Sequence, residues 1–247
     1  MTKHPKDQIV INDLNKDFQS ADSDLIIRSS DDIIFKIHRF YLQAMSEVFR
    51  ERLSTAVKPS EEIHLEDSEI EGSVTIAHFL NLCCGKPLTA PKNNDCKPYQ
   101  LLIRCLRKYD CPGALTHLEG LSYKWFHENL FCPANLFAMG HSLNSVNLAT
   151  CGLSQQASWR WAERSSDKTD EQKARSRDRT AQCNNVVGAS TIDPSGLSRK
   201  QFKDIPDDYK FALLRATSDT LIKTEPGKSD WKKISEDFQK IMLMKDD

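Results

Sequence analysis

SSDDIIFKIHRFYLQAMSEVFRERL, residues 29–53, changes its rhythm in the middle. Over residues 33–37 the side chains alternate, with Ile33, Phe35 and Ile37 on one face, as a half-buried strand requires. From His38 onward the period lengthens. Tyr41, Met45, Val48, Phe49 and Leu53 follow the spacing of an amphipathic helical stripe. Ser46 stands where its hydroxyl can accept an orphan amide of the next turn, so the stretch reads as a helical pair, the second member capped by Ser46. A strand thus passes straight into helices, with no glycine loop and no catalytic signature at the junction.

On the N-terminal side, residues 24–28 (DLIIR) alternate as a strand, and Ser-Ser-Asp-Asp at 29–32 is turn chemistry, which makes a hairpin with residues 33–37. On the C-terminal side, residues 61–65 (EEIHL) form a third strand. Ser68, Glu69, Ile70 and Glu71 spell a capping box, opening a helix whose apolar face is Ile76, Phe79, Leu80 and Cys83. A loop at residues 85–97 leads to Pro98 at a helix start and a stripe of Tyr99, Leu102, Ile103 and Leu106. The stripe breaks at Asp110, and Pro112 restarts a helix that runs past Leu118 to Trp125.

These elements predict one α+β domain over residues 20–127, preceded by an N-terminal arm at 1–19 that carries the apolar run Ile9, Val10 and Ile11. Residues 128–164 read as a helical extension. From 165 to 182 the only apolar residues are Ala174 and Ala181, too little burial to offset ordering entropy, so residues 165–190 are expected to be a flexible linker. A C-terminal helical segment at 191–247 follows. Pro206, Asp207 and Asp208 open a helix with Tyr209, Leu213 and Ala216 on one face, and a last helix carries Trp231, Ile234, Phe238 and Ile241.

Composition narrows the function. The 34 basic and 35 acidic residues nearly cancel, which removes any whole-chain attraction to nucleic acid or to an anionic membrane. No apolar stretch suits a signal peptide or a membrane span, so the expectation is a soluble intracellular protein, cytoplasmic and/or nuclear. None of the eight cysteines forms a CxxC pair, and they read as free, mostly buried thiols in a reducing compartment rather than zinc ligands.

Motifs for catalysis fail one by one. A phosphate loop ending at Gly85-Lys86 would need glycine at Leu80 and a hydroxyl residue at Pro87. His127-Glu128 lacks a second metal ligand, since Phe131 stands in its place. No GxSxG or GxGxxG occurs, and His64-Leu65-Glu66 has no downstream PCxxC. His38 has neither a nucleophile nor a metal motif for a partner and reads as a structural histidine at the strand-to-helix junction. The basic patch KARSRDR at 173–179 is interrupted by Asp178, has no interleaved aromatic, and reads as solvated linker. The expectation is therefore a non-enzyme with no cofactor and no metal.

DLIIRSSDDIIFKIHRFYLQAMSEVF resembles the start of a BTB/POZ domain. The positions that carry the resemblance are Asp24, Phe35, His38, Arg39, Leu42, Ser46 and Phe49, followed by IHLEDSEIEGSVTIAHFL and by the helix ending at Lys108 and Tyr109. The ASWRWAE and DIPDDYKFALLRA stretches resemble the fungal branch of the family, which carries a helical C-terminal extension. One departure stands out: Cys83, Cys84 and Gly85 replace the aromatic and glycine that commonly follow the middle helix.

The resemblance implies a non-enzymatic protein–protein interaction module, a scaffold that homodimerises and binds other proteins. It implies a charged pocket at Asp24, His38 and Arg39. Two alternatives stay open: a substrate adaptor for a cullin-type ubiquitin ligase, and a transcription cofactor that reaches DNA only through protein partners. BTB adaptors for cullins often carry a hydrophobic-x-Glu motif after the middle helix. Residues 81–98 contain no glutamate and offer Lys86, Lys92 and Lys97 instead, which points away from cullin binding.

Overall fold

The computed structural model describes residues 15–54, 61–91, 95–155, 194, 199–221 and 230–244. The hairpin is present. Strand β1 (Leu25–Arg28) pairs antiparallel with β2 (Ile34–Ile37), setting Leu25 opposite Ile37 and Ile27 opposite Phe35. Strand β3 (Glu61–His64) adds parallel to β1 with Ile27 opposite Ile63, so the sheet order is β2-β1-β3. Period-two alternation therefore brings Leu25, Ile27, Phe35, Ile37 and Ile63 onto one buried face. A 3-10 turn at Lys16–Phe18 lies against β2: Asn15 and Gln19 both donate to the Ile34 carbonyl at 3.0 Å, and the Phe18 ring meets Phe35 edge-on at 5.9 Å.

The helical pair is also present, as α1 (Arg39–Met45) and α2 (Glu47–Ser54). Ser46 leaves the helical region between them (φ −129, ψ 125), accepts the Phe49 amide at 3.1 Å and donates to the Tyr109 carbonyl. That break overturns the single apolar stripe expected from the spacing. The helix axis changes at Ser46, so Tyr41 and Val48 are exposed while Leu42, Phe49 and Leu53 are buried.

A second correction concerns the start of α3 (Ser73–Cys83). The expected capping box is not formed: residues 68–70 make a turn, and the helix begins after Gly72 with no cap from its own N-cap side chain. Its cap comes from the hairpin turn. Asp31 accepts the Ser73 amide at 2.8 Å and the Ser73 hydroxyl at 2.6 Å. Burial pushes the Asp31 carboxyl up, yet the hydrogen bonds from Ser29 and Ser73 outweigh it and hold the group below its ordinary value. Glu71 is drawn elsewhere, to Lys108 Nζ at 2.6 Å and to the Tyr109 hydroxyl.

Helix α4 (Lys97–Lys108) buries Tyr99, Leu102, Ile103 and Leu106 as the sequence spacing requires, and α5 (Pro112–His127) follows the left-handed Asp110 (φ 48). No strand lies between α3 and α4 among the described residues. The α+β class holds. Within this part, Phe49 stacks on Tyr109 at 4.6 Å, and Phe79 closes the cluster at 5.6 Å from Tyr109.

Contacts divide the chain into two compact units, Met1–Thr89 with Lys97–Leu118, and Ala90–Cys96 with Glu119–Asp247. The second is helical: α6 (Pro133–Leu143), α7 (Val146–Ser154), α8 (Arg199–Asp204), α9 (Asp207–Leu221) and α10 (Trp231–Leu243). Its core centres on Phe137, Tyr209, Leu213, Trp231, Ile234 and Phe238. α6 and α7 approach closely because Gly152 lacks a Cβ, which would sit 2.7 Å from the Pro133 carbonyl oxygen. The expected linker at 165–190, the basic patch at 173–179 and the arm residues Ile9, Val10 and Ile11 lie outside the described residues.

Two outcomes follow from this packing. Phe49 is 1% exposed, so Phe49→Ala removes a stacked ring from a closed cluster and should cost roughly 3–5 kcal/mol, read as a lower unfolding midpoint in denaturant. An unchanged midpoint would take Phe49 out of the core. His141 lies between the Phe137 and Tyr209 rings, and burial pushes it down to about 4, against the opposing pull of Asp204. The native state then binds fewer protons than the unfolded chain between about pH 4 and roughly 6.5. This histidine's contribution is complete above that window and falls as pH falls, by on the order of 3 kcal/mol. Unfolding measured at pH 7.5 and 4.5 should show a smaller pH penalty in His141→Leu than in the wild type.

Candidate interaction surface

Helix α1 starts at Arg39 because Asp24, just before β1, reaches across to it. Asp24 Oδ1 accepts the Arg39 amide at 2.8 Å, and Oδ2 accepts from Arg39 Nε at 3.0 Å. The Arg39 guanidinium also donates to the Asp24 carbonyl at 3.4 Å. One carboxylate therefore caps an orphan amide, lies at the positive end of a helix and fixes a guanidinium. His38, the extended residue ahead of the helix, sets Nδ1 at 3.9 Å from Asp24 and Nε2 at 3.9 Å from Asp22. Asp22 is held below its ordinary value chiefly by the Ser20 hydroxyl. The structure thus brings Asp24, His38 and Arg39 together. The Asp24 side chain keeps 43% exposure and His38 44%, which leaves this cluster open to a partner.

Two aromatics complete the surface. Phe40 is 68% exposed and meets Tyr41 edge-on at 5.8 Å, with the His38 ring 6.5 Å from Tyr41. Sequence reasoning missed Phe40 and placed Tyr41 in the core. The available signal was Phe40's position off the apolar stripe, beside three ionisable side chains.

No group of acidic, histidine and cysteine side chains among the described residues could hold a metal ion. Burial makes several of the thiols poor nucleophiles. Burial pushes Cys111 up to about 11 and Cys105 higher still, and the seven described cysteines are all free. His64 pairs with Glu62 at 3.2 Å on the exposed side of β3.

A small sheet backed by helices, with a half-open ion-pair cluster beside exposed aromatic rings, defines a binding domain. The family model for the BTB/POZ domain matches residues 14–122, and this part of the chain is a BTB/POZ domain, a protein-interaction domain. No match is found among curated proteins.

The double role of Asp24 separates two variants. Asp24→Ala loses both the cap and the ion pair and should cost about 0.5–2 kcal/mol. Asp24→Asn keeps an oxygen for the Arg39 amide and gives up a half-exposed charge, which should cost less than about 1 kcal/mol. Equal losses in chemical denaturation would show that the carboxylate acts through charge alone.

Proposed function

We propose that this chain is a non-enzymatic scaffold that pairs with a second copy of itself through the BTB/POZ domain and presents the Asp24, His38 and Arg39 cluster to other proteins. The observation that carries this reading is the exposed Phe40–Tyr41 pair next to that cluster. Rigid aromatics beside fixed charges bury large area at low entropy cost, the composition of interface centres. The apolar run Ile9, Val10 and Ile11 supports pairing as well, since it has a β-forming sequence suited to an edge strand or a two-fold contact. Light scattering on the full chain should give a mass no lower than a dimer at tens of micromolar. A strict monomer at that concentration would overturn the reading.

Residues 81–98 bear on the cullin alternative. They contain no glutamate, and Lys86 is already engaged, its ammonium 4.5 Å from the Phe18 ring centre and 3.5 Å from Asp17. Without an acidic anchor, calorimetric titration with the host's own cullin should give no submicromolar binding. Submicromolar affinity would make the adaptor the better reading. A transcription cofactor acting through protein partners fits the same surface, and nothing in the geometry favours it over the scaffold.

A further inference from the structure

In the second unit, α9 and α10 enclose an open groove. At one end a cavity of about 500 Å³ is lined by Asp208 and Phe211 from the start of α9 and by Ile241, Met242 and Met244 from the end of α10. It continues as a space of about 370 Å³ lined by Phe211, Arg215, Lys233, Asp237, Lys240 and Met244 among others. The start of α9 thus meets the end of α10, and the helices run antiparallel. Phe211 is 62% exposed, Leu243 67% and Met244 71%, with Leu214 alongside at 43%. The same helices bury Tyr209, Leu213, Ile234 and Phe238 on their other faces. Apolar side chains on a second face are not needed for this core, and methionines suit an adaptable contact.

The charges choose the occupant. The groove is acidic at one end, at Asp208, and basic at the other, at Arg215 and Lys233, while Lys240 and Asp237 pair within it at 3.4 Å. A surface with opposite charges at its two ends is complementary to itself under a two-fold rotation. An axis beside Phe211, midway along α9 between Asp208 and Arg215, places each acidic end against the other copy's basic end. The arms from Asp208 to Arg215 span about 10 Å of helix, within reach of these side chains.

We propose that the α9–α10 groove is a second self-association surface, filled by the same groove of another copy. It goes beyond pairing through the BTB/POZ domain and does not depend on it. Two different isologous contacts on one chain link dimers into larger assemblies.

Sedimentation of the full chain, wild type against Phe211→Glu, tests this. Phe211 is mostly solvent-exposed, so its replacement should leave the melting midpoint near wild type, and circular dichroism checks that. The expected result is a wild-type mass above a dimer that falls to a dimer in Phe211→Glu. A wild-type dimer that becomes a monomer in Phe211→Glu would uphold the groove and overturn pairing through the BTB/POZ domain. An unchanged mass in a folded Phe211→Glu, or a monomeric wild type, overturns the groove contact. Charge exchange gives a second reading. Asp208→Lys alone should weaken association at least about tenfold, and adding Lys233→Asp should recover part of it. No recovery in the folded double variant would overturn the two-fold arrangement.

Discussion

Glu71 is a carboxylate with almost no solvent contact, and the first unit is organised around satisfying it. Its side chain is 2% exposed, and an unpaired charge at that depth would cost several kcal/mol. Lys108 Nζ at 2.6 Å, the Tyr109 hydroxyl and the Asp67 amide at 2.7 Å supply the compensation. Burial alone would push Glu71 up, but these donors outweigh it, so the group stays below its ordinary value and is charged at neutral pH. The consequence is positional. The end of α4 is tied to the segment entering α3, and Tyr109 is held where its ring stacks on Phe49 and its carbonyl accepts the Ser46 hydroxyl. Ser46 breaks α1 from α2, so a buried acid some distance away in sequence fixes where the first helical pair bends.

This constraint also explains which parts of the fold were legible in the sequence. The strands were, because Leu25, Ile27, Phe35 and Ile37 alternate over a pleated surface with one buried face. α4 was, because Tyr99, Leu102, Ile103 and Leu106 have no competing pattern. The capping box was misread because Glu71 has two possible uses, local and distant. Spacing sees only the local one, whereas Lys108 and Tyr109 lie far along the chain. Asp31 is the converse case. It reads as a turn residue and serves there, accepting from Ser29 at 2.6 Å, yet it also caps α3 through a contact that no local pattern encodes. Tyr41 and Val48 were misplaced for a third reason: a stripe drawn through Ser46 assumes one straight axis.

The candidate site was legible only in part, and the part follows the same logic. Asp24, His38 and Arg39 came from the resemblance. Their geometry adds that the carboxylate serves folding and surface chemistry together, since it caps α1 with one oxygen and holds the Arg39 guanidinium with the other. Phe40 lies outside the positions that carry the resemblance, and the sequence marks it only by its place off the apolar stripe. A lone aromatic beside a helix start is common, and only its 68% exposure and the ring contact with Tyr41 distinguish it.

Exposed apolar side chains mean something different in the two units. In the first, Phe40 and Tyr41 are exposed beside the Asp24, His38 and Arg39 cluster, and Val48 is exposed just past the helix break at Ser46. In the second, α9 and α10 are each unbroken over more than three turns, so no bend explains Phe211, Leu214 or Leu243. A helix needs one apolar face to join a core, and α9 already has it in Tyr209, Ala212, Leu213 and Ala216. Leaving Phe211 in water forgoes burial worth roughly 1.5–3 kcal/mol for such a side chain. Folding of the unit alone gives no reason for that loss. An apolar groove bounded by charges of opposite sign at its two ends gives one, because the burial is then recovered on association and the charges set its orientation.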